Sequence, residues 1–221
     1  MATRPSPRPV EPAAPAGDSY HHGALREALL TAGEALLAER GAAGFTLREC
    51  ARRAGVSHAA PAHHFGDARG LLTALAARGF DRMADLMARY RDAAPATPEA
   101  RLVAVGRAYI DFALDHRAHF LLMFGADRLD RDDAELQRCG SRSAAALQEA
   151  MAEVMAARAL PPASLPQRLL LAWSAVHGFA MLVIEGQCQD FFGIGSDHPK
   201  RARTAADAVL ALLQGALAGP G

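Results

Sequence analysis

The chain has 221 residues, 51% of them hydrophobic, with 24 basic and 24 acidic side chains and a formal net charge of zero. That length accommodates two modules or one larger domain around a sizeable core. The even balance gives no global attraction for a polyanion and leaves that role to local patches.

Residues 1–19, MATRPSPRPVEPAAPAGDS, are rich in Pro and Ala and read as a disordered tail without the apolar stretch of a signal peptide. Leu25, Leu29, Ala32 and Leu36 then recur at helical spacing, with Arg26, Glu27, Glu34 and Glu39 on other faces, and Gly41 and Gly44 end that helix. A short helix over 46–53, an AGVS turn and a second short helix over 58–64 follow. Gly66–Asp67 then opens a longer helix to about residue 91. In AAPATPE, Thr97 is a cap and Pro98 takes the first position of a helix to about 115. A short helix from His119 to Phe124 is closed by Gly125, and the next covers 132–159, stopped by Pro161–Pro162. Ser164 caps a strongly apolar helix to about 188. FFGIGSDHP is a loop, and a last helix covers 201–218. The expectation is an all-α protein of about nine helices, with a helix-turn-helix module over 20–75 and a helical regulatory domain over 76–221. No apolar run approaches the ~20 residues of a membrane span, so no membrane is expected and the chain is assigned to the cytoplasm. Cys50, Cys139 and Cys188 stand far apart without a CxxC, which reads as idle thiols in a reducing compartment, a redox sensor being the lesser alternative.

The informative block is FTLRECARRAGVSHAAPAHHFGDARGLLTAL, residues 45–75. Two short helices around a Gly-containing turn are the helix-turn-helix plan. Leu47 and Cys50 face the core, and Ala51 is small enough for a close helix crossing. Gly55 supplies the left-handed backbone of the turn, Val56 plugs the core and Ser57 caps the second helix. Ala59 and Ala60 keep that helix slim enough for a major groove, Pro61 falls where a lost amide costs least, and Phe65 anchors the far end. A packing hairpin leaves exposed His58, His63 and His64 without a purpose.

From about Gly23 to Leu75 this block resembles the DNA-binding region of the TetR family of bacterial regulators, through the Gly-Val-Ser turn, the His64–Phe65 pair and the helix after it. The resemblance implies that Arg48 contacts a base or phosphate, that His58, Ala59 and Ala60 face base edges, and that His63 and His64 face the backbone or groove. Thr46 and Ser57 complete the set. Two positions depart from the family: Ala62 stands where a Tyr is usual and Ala68 where a Lys is usual, and Arg69 is the candidate to replace the lysine on phosphate. Between residues 21 and 70 the bases Arg26, Arg40, Arg48, Arg52, Arg53 and Arg69 outnumber the acids Glu27, Glu34, Glu39, Glu49 and Asp67 by one, which predicts modest DNA affinity with a shallow salt dependence.

RAYIDFALDHRAHFLLMF (107–124) and AWSAVHGFAMLVIEG (172–186) resemble the C-terminal domain of one TetR subgroup, named for a Trp-His-Gly signature, here Trp173, His177 and Gly178. The resemblance implies a homodimer through a four-helix interface of the last two helices. Val209, Leu210, Leu213 and Leu217 are its candidates, on an apolar arc too wide for a one-sided surface helix. Trp173 and His177, four apart, share a helix face. They read either as a core pair with a satisfied histidine or as part of an inducer pocket. Phe112, Phe120, Met123, Phe124, Met151, Met155 and Met181 are candidate walls, though the same side chains equally make a plain core. His116 and His119 are three apart, but no third ligand is placed and Arg117 opposes a cation, so no metal or cofactor is expected, and no catalytic motif occurs.

The reading is a repressor whose dimer sets two recognition helices in successive major grooves of a palindromic operator, roughly 34–36 Å apart, until a small-molecule inducer changes that spacing. The alternatives are a helical protein-interaction adaptor and a small metalloenzyme using His116, His119 and His177.

Overall fold

The computed structural model describes residues 17–125, 127–195 and 198–218. The helices in order are α1 (Gly17–Arg40), α2 (Leu47–Ala54), α3 (Ala60–Phe65), α4 (Ala68–Ala93), α5 (Pro98–Asp115), α6 (Arg117–Phe124), α7 (Ala134–Ala157), a 3₁₀ turn (Pro162–Ser164), α8 (Leu165–Ile184), α9 (Gln189–Phe192) and α10 (Pro199–Ala218). Among the described residues there is no strand. The tail expected over 1–19 lies outside the described residues up to 16, and residues 17–19 already belong to α1. The additional helix, α9, begins just before the expected FFGIGSDHP loop.

Local chemistry sets most boundaries. Thr46 caps α2 by accepting from Glu49 N, Thr97 caps α5 by accepting from Ala100 N, and Asp67 and Asp133 do the same for α4 and α7. Gly55, at φ 68°, ends α2 with its N–H on the carbonyls of Ala51 and Arg52. Ser164 does not cap α8. The 3₁₀ turn runs straight into that helix and leaves no free first turn. The hydroxyl instead donates to the Pro161 carbonyl at 2.8 Å and accepts from Arg168 Nε at 3.1 Å.

Helix α4 is the spine. Its start packs beside α3, and further along it lies on α1, α5, α6 and α7. Helix α5 touches α4, α6, α7, α8 and α10. One continuous core runs from Leu29, Leu36, Cys50 and Leu75 to Phe112, Phe120 and Met151, so both halves are fastened through α4 rather than by a linker. The segment Pro162–Ile184 is long and apolar enough to cross a membrane by length and composition, against the expectation from sequence. The reason is that α8 is apolar on two faces. Ala172, Val176, Ala180 and Val183 are buried, whereas Leu170, Leu171 and Leu182 are exposed on the other side.

Candidate nucleic-acid interface and ligand cavity

In the helix-turn-helix, Cys50 and Ala51 are fully buried, so α2 lies flat on α1, and the Cys50 thiol donates to the Leu29 carbonyl at 3.3 Å. Burial pushes that thiol up from its ordinary value, which leaves it a core group. The corner between α3 and α4 is tight. A Cβ on Gly70 would stand 1.9 Å from the Phe65 carbonyl oxygen, so no other residue fits there without moving backbone. Phe65 is held from above by the Arg26 guanidinium, 5.3 Å from the ring centre.

These constraints present a face of named residues. His58, Ala59, Ala62 and His63 are exposed along the turn and α3, Ala60 and His64 are half-buried, and Pro61 points inward. Ser57 is exposed but its hydroxyl caps nothing. A tight turn closed by its carbonyl on Ala60 N at 3.1 Å precedes the helix, which starts at Ala60 with no side-chain cap. Pro61 follows in the first turn as expected. Thr46, by contrast, has its hydroxyl engaged in the α2 cap.

The arginines of this module divide sharply. Arg48 is exposed and, among the described residues, makes no ion pair. Arg52 and Arg53 bond Glu49, at 2.7 and 3.1 Å, and Arg53 also reaches Glu39. Hydrogen bonds from Arg52 and then Arg53 hold the Glu49 carboxyl down to about 2, so it stays ionised and keeps both cations occupied. Arg69, expected to replace the missing lysine, turns away from α3 and donates to the Leu129 carbonyl at 2.8 Å. The cause is the loop between α6 and α7, which folds down over the start of α4.

That loop is a bridge between the halves, and spacing alone gives no sign of it. Arg128 donates to the Ala42 carbonyl at 2.7 Å, in the turn between α1 and α2. Asp130 N donates to Thr73 Oγ1 at 2.9 Å, and Leu129 is buried. Arg131 ties the same loop back to the end of α6, on the carbonyls of Met123 and Gly125.

The regulatory half encloses a cavity of about 480 Å³ among α4, α5, α6, α7, α8 and α10. Of the expected wall residues, Phe124 and Trp173 line it. Phe112, Phe120, Met123, Met151 and Met155 do not. They are buried in solid core, because core and cavity faces share one helical period. Met181 is half-buried and also off the wall. The lining that spacing misses includes Phe80, Met83 and Met87 on α4 and Tyr109 on α5. It also takes in Leu210, Leu213 and Leu217 on α10, three of the residues assigned to a dimer interface. Leu210 and Leu217 are buried within their own subunit. The outward side of α10 carries Leu212, 78% exposed, and Val209 is half-buried.

His177 stands behind the wall. Its Nδ1 is 2.7 Å from the Tyr109 hydroxyl, and Trp173 Nε1 donates to that hydroxyl at 3.4 Å. Burial raises the Tyr109 phenol and lowers His177, so both are neutral near pH 7, and the phenol accepts from the indole while sharing a hydrogen bond with Nδ1. The Phe124 ring, centred 4.6 Å away, and Phe120 crowd the imidazole. His177 is not among the residues lining the cavity and bonds the Tyr109 hydroxyl from behind the wall. Of the two open readings, the core pair with a satisfied histidine fits His177, and Trp173 alone faces the cavity.

His116 is exposed with its ring tilted against Phe112, 4.9 Å between centres, His119 is buried with Nε2 unpartnered, and among the described residues neither belongs to a group of three possible metal ligands. Asp81, Glu135 and Cys139 do bring ligand atoms within 4.8 Å of one another, but Arg138 and Arg142 already neutralise those carboxylates. Burial, the largest of several causes, raises the Cys139 thiol to about 11, far from the thiolate a metal needs.

Two family models match the chain. Residues 29–75 match "Bacterial regulatory proteins, tetR family", and residues 102–197 match "Tetracyclin repressor-like, C-terminal domain". No protein of curated function matches the sequence. Among solved structures, a protein of unknown function from Rhodococcus sp. RHA1 is 34% identical, with TM-score 0.71 over 88% of this chain and 97% of that one. The TetR family regulator PfmR from Thermus thermophilus is 17% identical, with TM-score 0.62 over 84% and 96%. FadR from Bacillus subtilis in complex with stearoyl-CoA is 14% identical, with TM-score 0.62 over 85% and 96%, a likeness of fold. With both its helix-turn-helix and its regulatory half matched, the chain belongs to the TetR family of bacterial transcriptional regulators and is a DNA-binding regulator, not an enzyme.

Proposed function

We propose that the protein is a cytoplasmic homodimeric repressor that releases a palindromic operator when a small molecule fills the cavity. Arg48, His58, Ala59, Ala60, His63 and His64 face the DNA, with Thr46 and Ser57 shaping the approach. Two copies of α3 then enter successive major grooves.

The observation that carries this reading is the continuity from cavity to DNA module. Phe124 lines the cavity at the last residue of α6, and the loop that follows is bonded to Ala42, Arg69 and Thr73. A ligand that displaces Phe124 shifts the loop, and the loop holds the helix-turn-helix from two sides. Such a ligand acts only through its preference for one of the two arrangements. FadR, of the same fold, is in complex with stearoyl-CoA, which agrees with a small-molecule ligand for this protein.

Dimerisation draws support from the second apolar face of α8 and from Leu212 on α10. Gly178 and Gly215 add to it, since a Cβ on either meets nothing within 4 Å in the subunit, leaving room for a partner backbone. The interface residues in this reading are Leu171, Leu182 and Leu212, with Val209 and Leu213 at the edge and Leu210 and Leu217 behind it.

The test is a gel shift with the DNA upstream of the protein's own gene, with the wild type and Arg128→Ala. Binding by both, with a weaker ligand response in Arg128→Ala by about 1 kcal/mol of coupling, supports the reading. No retained DNA at low salt rejects it.

A further inference from the structure

The cavity has a chemistry of its own. None of the residues lining it is charged, among the described residues. Its interior is built from Met83, Met87, Val105, Val176 and Leu210 and from the rings of Phe80 and Phe124. Two of its polar groups are already satisfied. Ser143 Oγ donates to the Phe80 carbonyl at 2.8 Å, and the Tyr109 hydroxyl is held between His177 and Trp173.

The mouth can be located from exposure. Ala144 and Gln148 on α7 and Leu170 and Trp173 on α8 are the exposed lining residues, so the opening lies between those two helices. Gln148 stands at it, and Gln214 lies further in, half-buried. Neither carboxamide has a partner among the described residues, and each offers both a donor and an acceptor.

The cations nearby are committed. Arg142 pairs with Asp81 and Asp85, Arg107 with Asp111 and Asp207, and Arg91 and Arg101 with Glu153. Arg168 donates to the Leu217 carbonyl. A ligand carboxylate in the cavity finds no guanidinium to replace its water, and a ligand ammonium finds no carboxylate. Burying either ion unpaired costs far more than burying a neutral group that can hydrogen-bond.

We propose that the cavity takes an uncharged, largely aliphatic molecule with one hydrogen-bonding head group, such as a long-chain alcohol, its tail against α4, α5 and α10 and its head at the Gln148 carboxamide. The inference rests on the reading of this cavity as the inducer site and narrows the class of inducer.

Trp173 is the sole tryptophan of the chain and stands at the mouth, so its emission reports occupancy without any label. The full-length protein is titrated with 1-dodecanol, dodecanoate and dodecylammonium, each below its solubility or micelle limit. Dodecanol is expected to give a saturable change at concentrations roughly a hundredfold below either ion. Equal or tighter binding of either ion, or no saturable change with the alcohol, overturns the proposal. Gln148→Arg, an exposed position that leaves the core untouched, is expected to bring dodecanoate binding up to that of the alcohol. An unchanged preference in this variant, folded by circular dichroism, overturns the placement of the head group. A gel shift without ligand runs beside these titrations. Loss of DNA binding there counts against the regulator reading, whereas the ligand class stands or falls on the fluorescence alone.

Discussion

The two halves of the molecule hold their shape in different ways. The helix-turn-helix pair rests on the 24-residue α1 but is itself short, eight residues in α2 and six in α3, and is locked by single local devices: the Thr46 cap, the Gly55 turn and the Gly70 corner. The regulatory half is made of helices of up to 24 residues whose side chains serve core, cavity or outer face according to partners far away in sequence. A local device is a property of a few neighbouring residues. A cavity is a property of six helices at once.

The two halves differ most at two kinds of glycine. Gly70→Ala places a methyl against the Phe65 carbonyl and is expected to cost about 3 kcal/mol, with operator binding lost. Gly140→Ala, within α7 where nothing lies within 4 Å, is expected to leave stability unchanged or to raise it by up to about 1 kcal/mol. Thermal unfolding of both variants decides it, and equal losses would mean that the regulatory half is as locally constrained as the DNA module.

Next in size is Leu212→Asp. The side chain is 78% exposed in the subunit, so the fold is expected to persist. A pair of carboxylates facing each other in an apolar interface costs several kcal/mol, on the order of the burial it replaces. Light scattering is expected to give the monomer mass with unchanged circular dichroism. A dimer that survives moves the interface off α10. This variant separates the interface from the core more cleanly than deleting α10, which would also strip Ala206, Leu210 and Leu217 from the interior.

Arg48→Ala is expected to weaken operator binding by about 1–3 kcal/mol, since Arg48 is exposed and without an ion pair among the described residues while Arg52 and Arg53 are held by Glu49. Arg52→Ala is expected to do less. A titration at fixed salt that ranks them the other way shows that DNA pulls the arginines off Glu49.

The smallest effect is in pH. Burial lowers both His119 and His177 from the ordinary 6.5. Below pH 6.5 the unfolded chain therefore binds protons that the native protein does not. Stability falls as pH drops through that value and levels off once the depressed native values are passed. The drop is expected to shrink in His119→Met, read from thermal midpoints between pH 7 and 5, and an identical profile would assign the acid sensitivity elsewhere.

The same contrast explains what can be read from the sequence. The Thr97 cap with Pro98, the Gly55 turn and the α5 span all follow from residues within a few positions of each other. The helix-turn-helix face is legible for the same reason. Phe112 and Phe124 are not separable, since both lie on apolar helical stripes and only the packing of α4, α7 and α10 makes one core and the other wall. Leu210 reads as facing outward because the wide arc of α10 has no internal marker of which side meets α5. Arg69 reads as a phosphate contact because nothing near it in sequence announces Leu129, sixty residues away.

The bridge between the halves has one further property. Each of its three bonds joins a side chain to a main-chain group: Arg128 to the Ala42 carbonyl, Arg69 to the Leu129 carbonyl, and Thr73 to Asp130 N. A main-chain carbonyl is the same for every amino acid, and an amide for every one but proline. Substitution of Ala42, or of Asp130 by anything but proline, therefore keeps the main-chain partner in place, whereas Leu129 is also held by its buried side chain; the side-chain half of the linkage is carried by Arg128, Arg69 and Thr73. None of these three lines the cavity, and none lies on α3. If the loop carries the inducer response, the residues that set its strength are therefore separate from those that line the cavity and from those on α3.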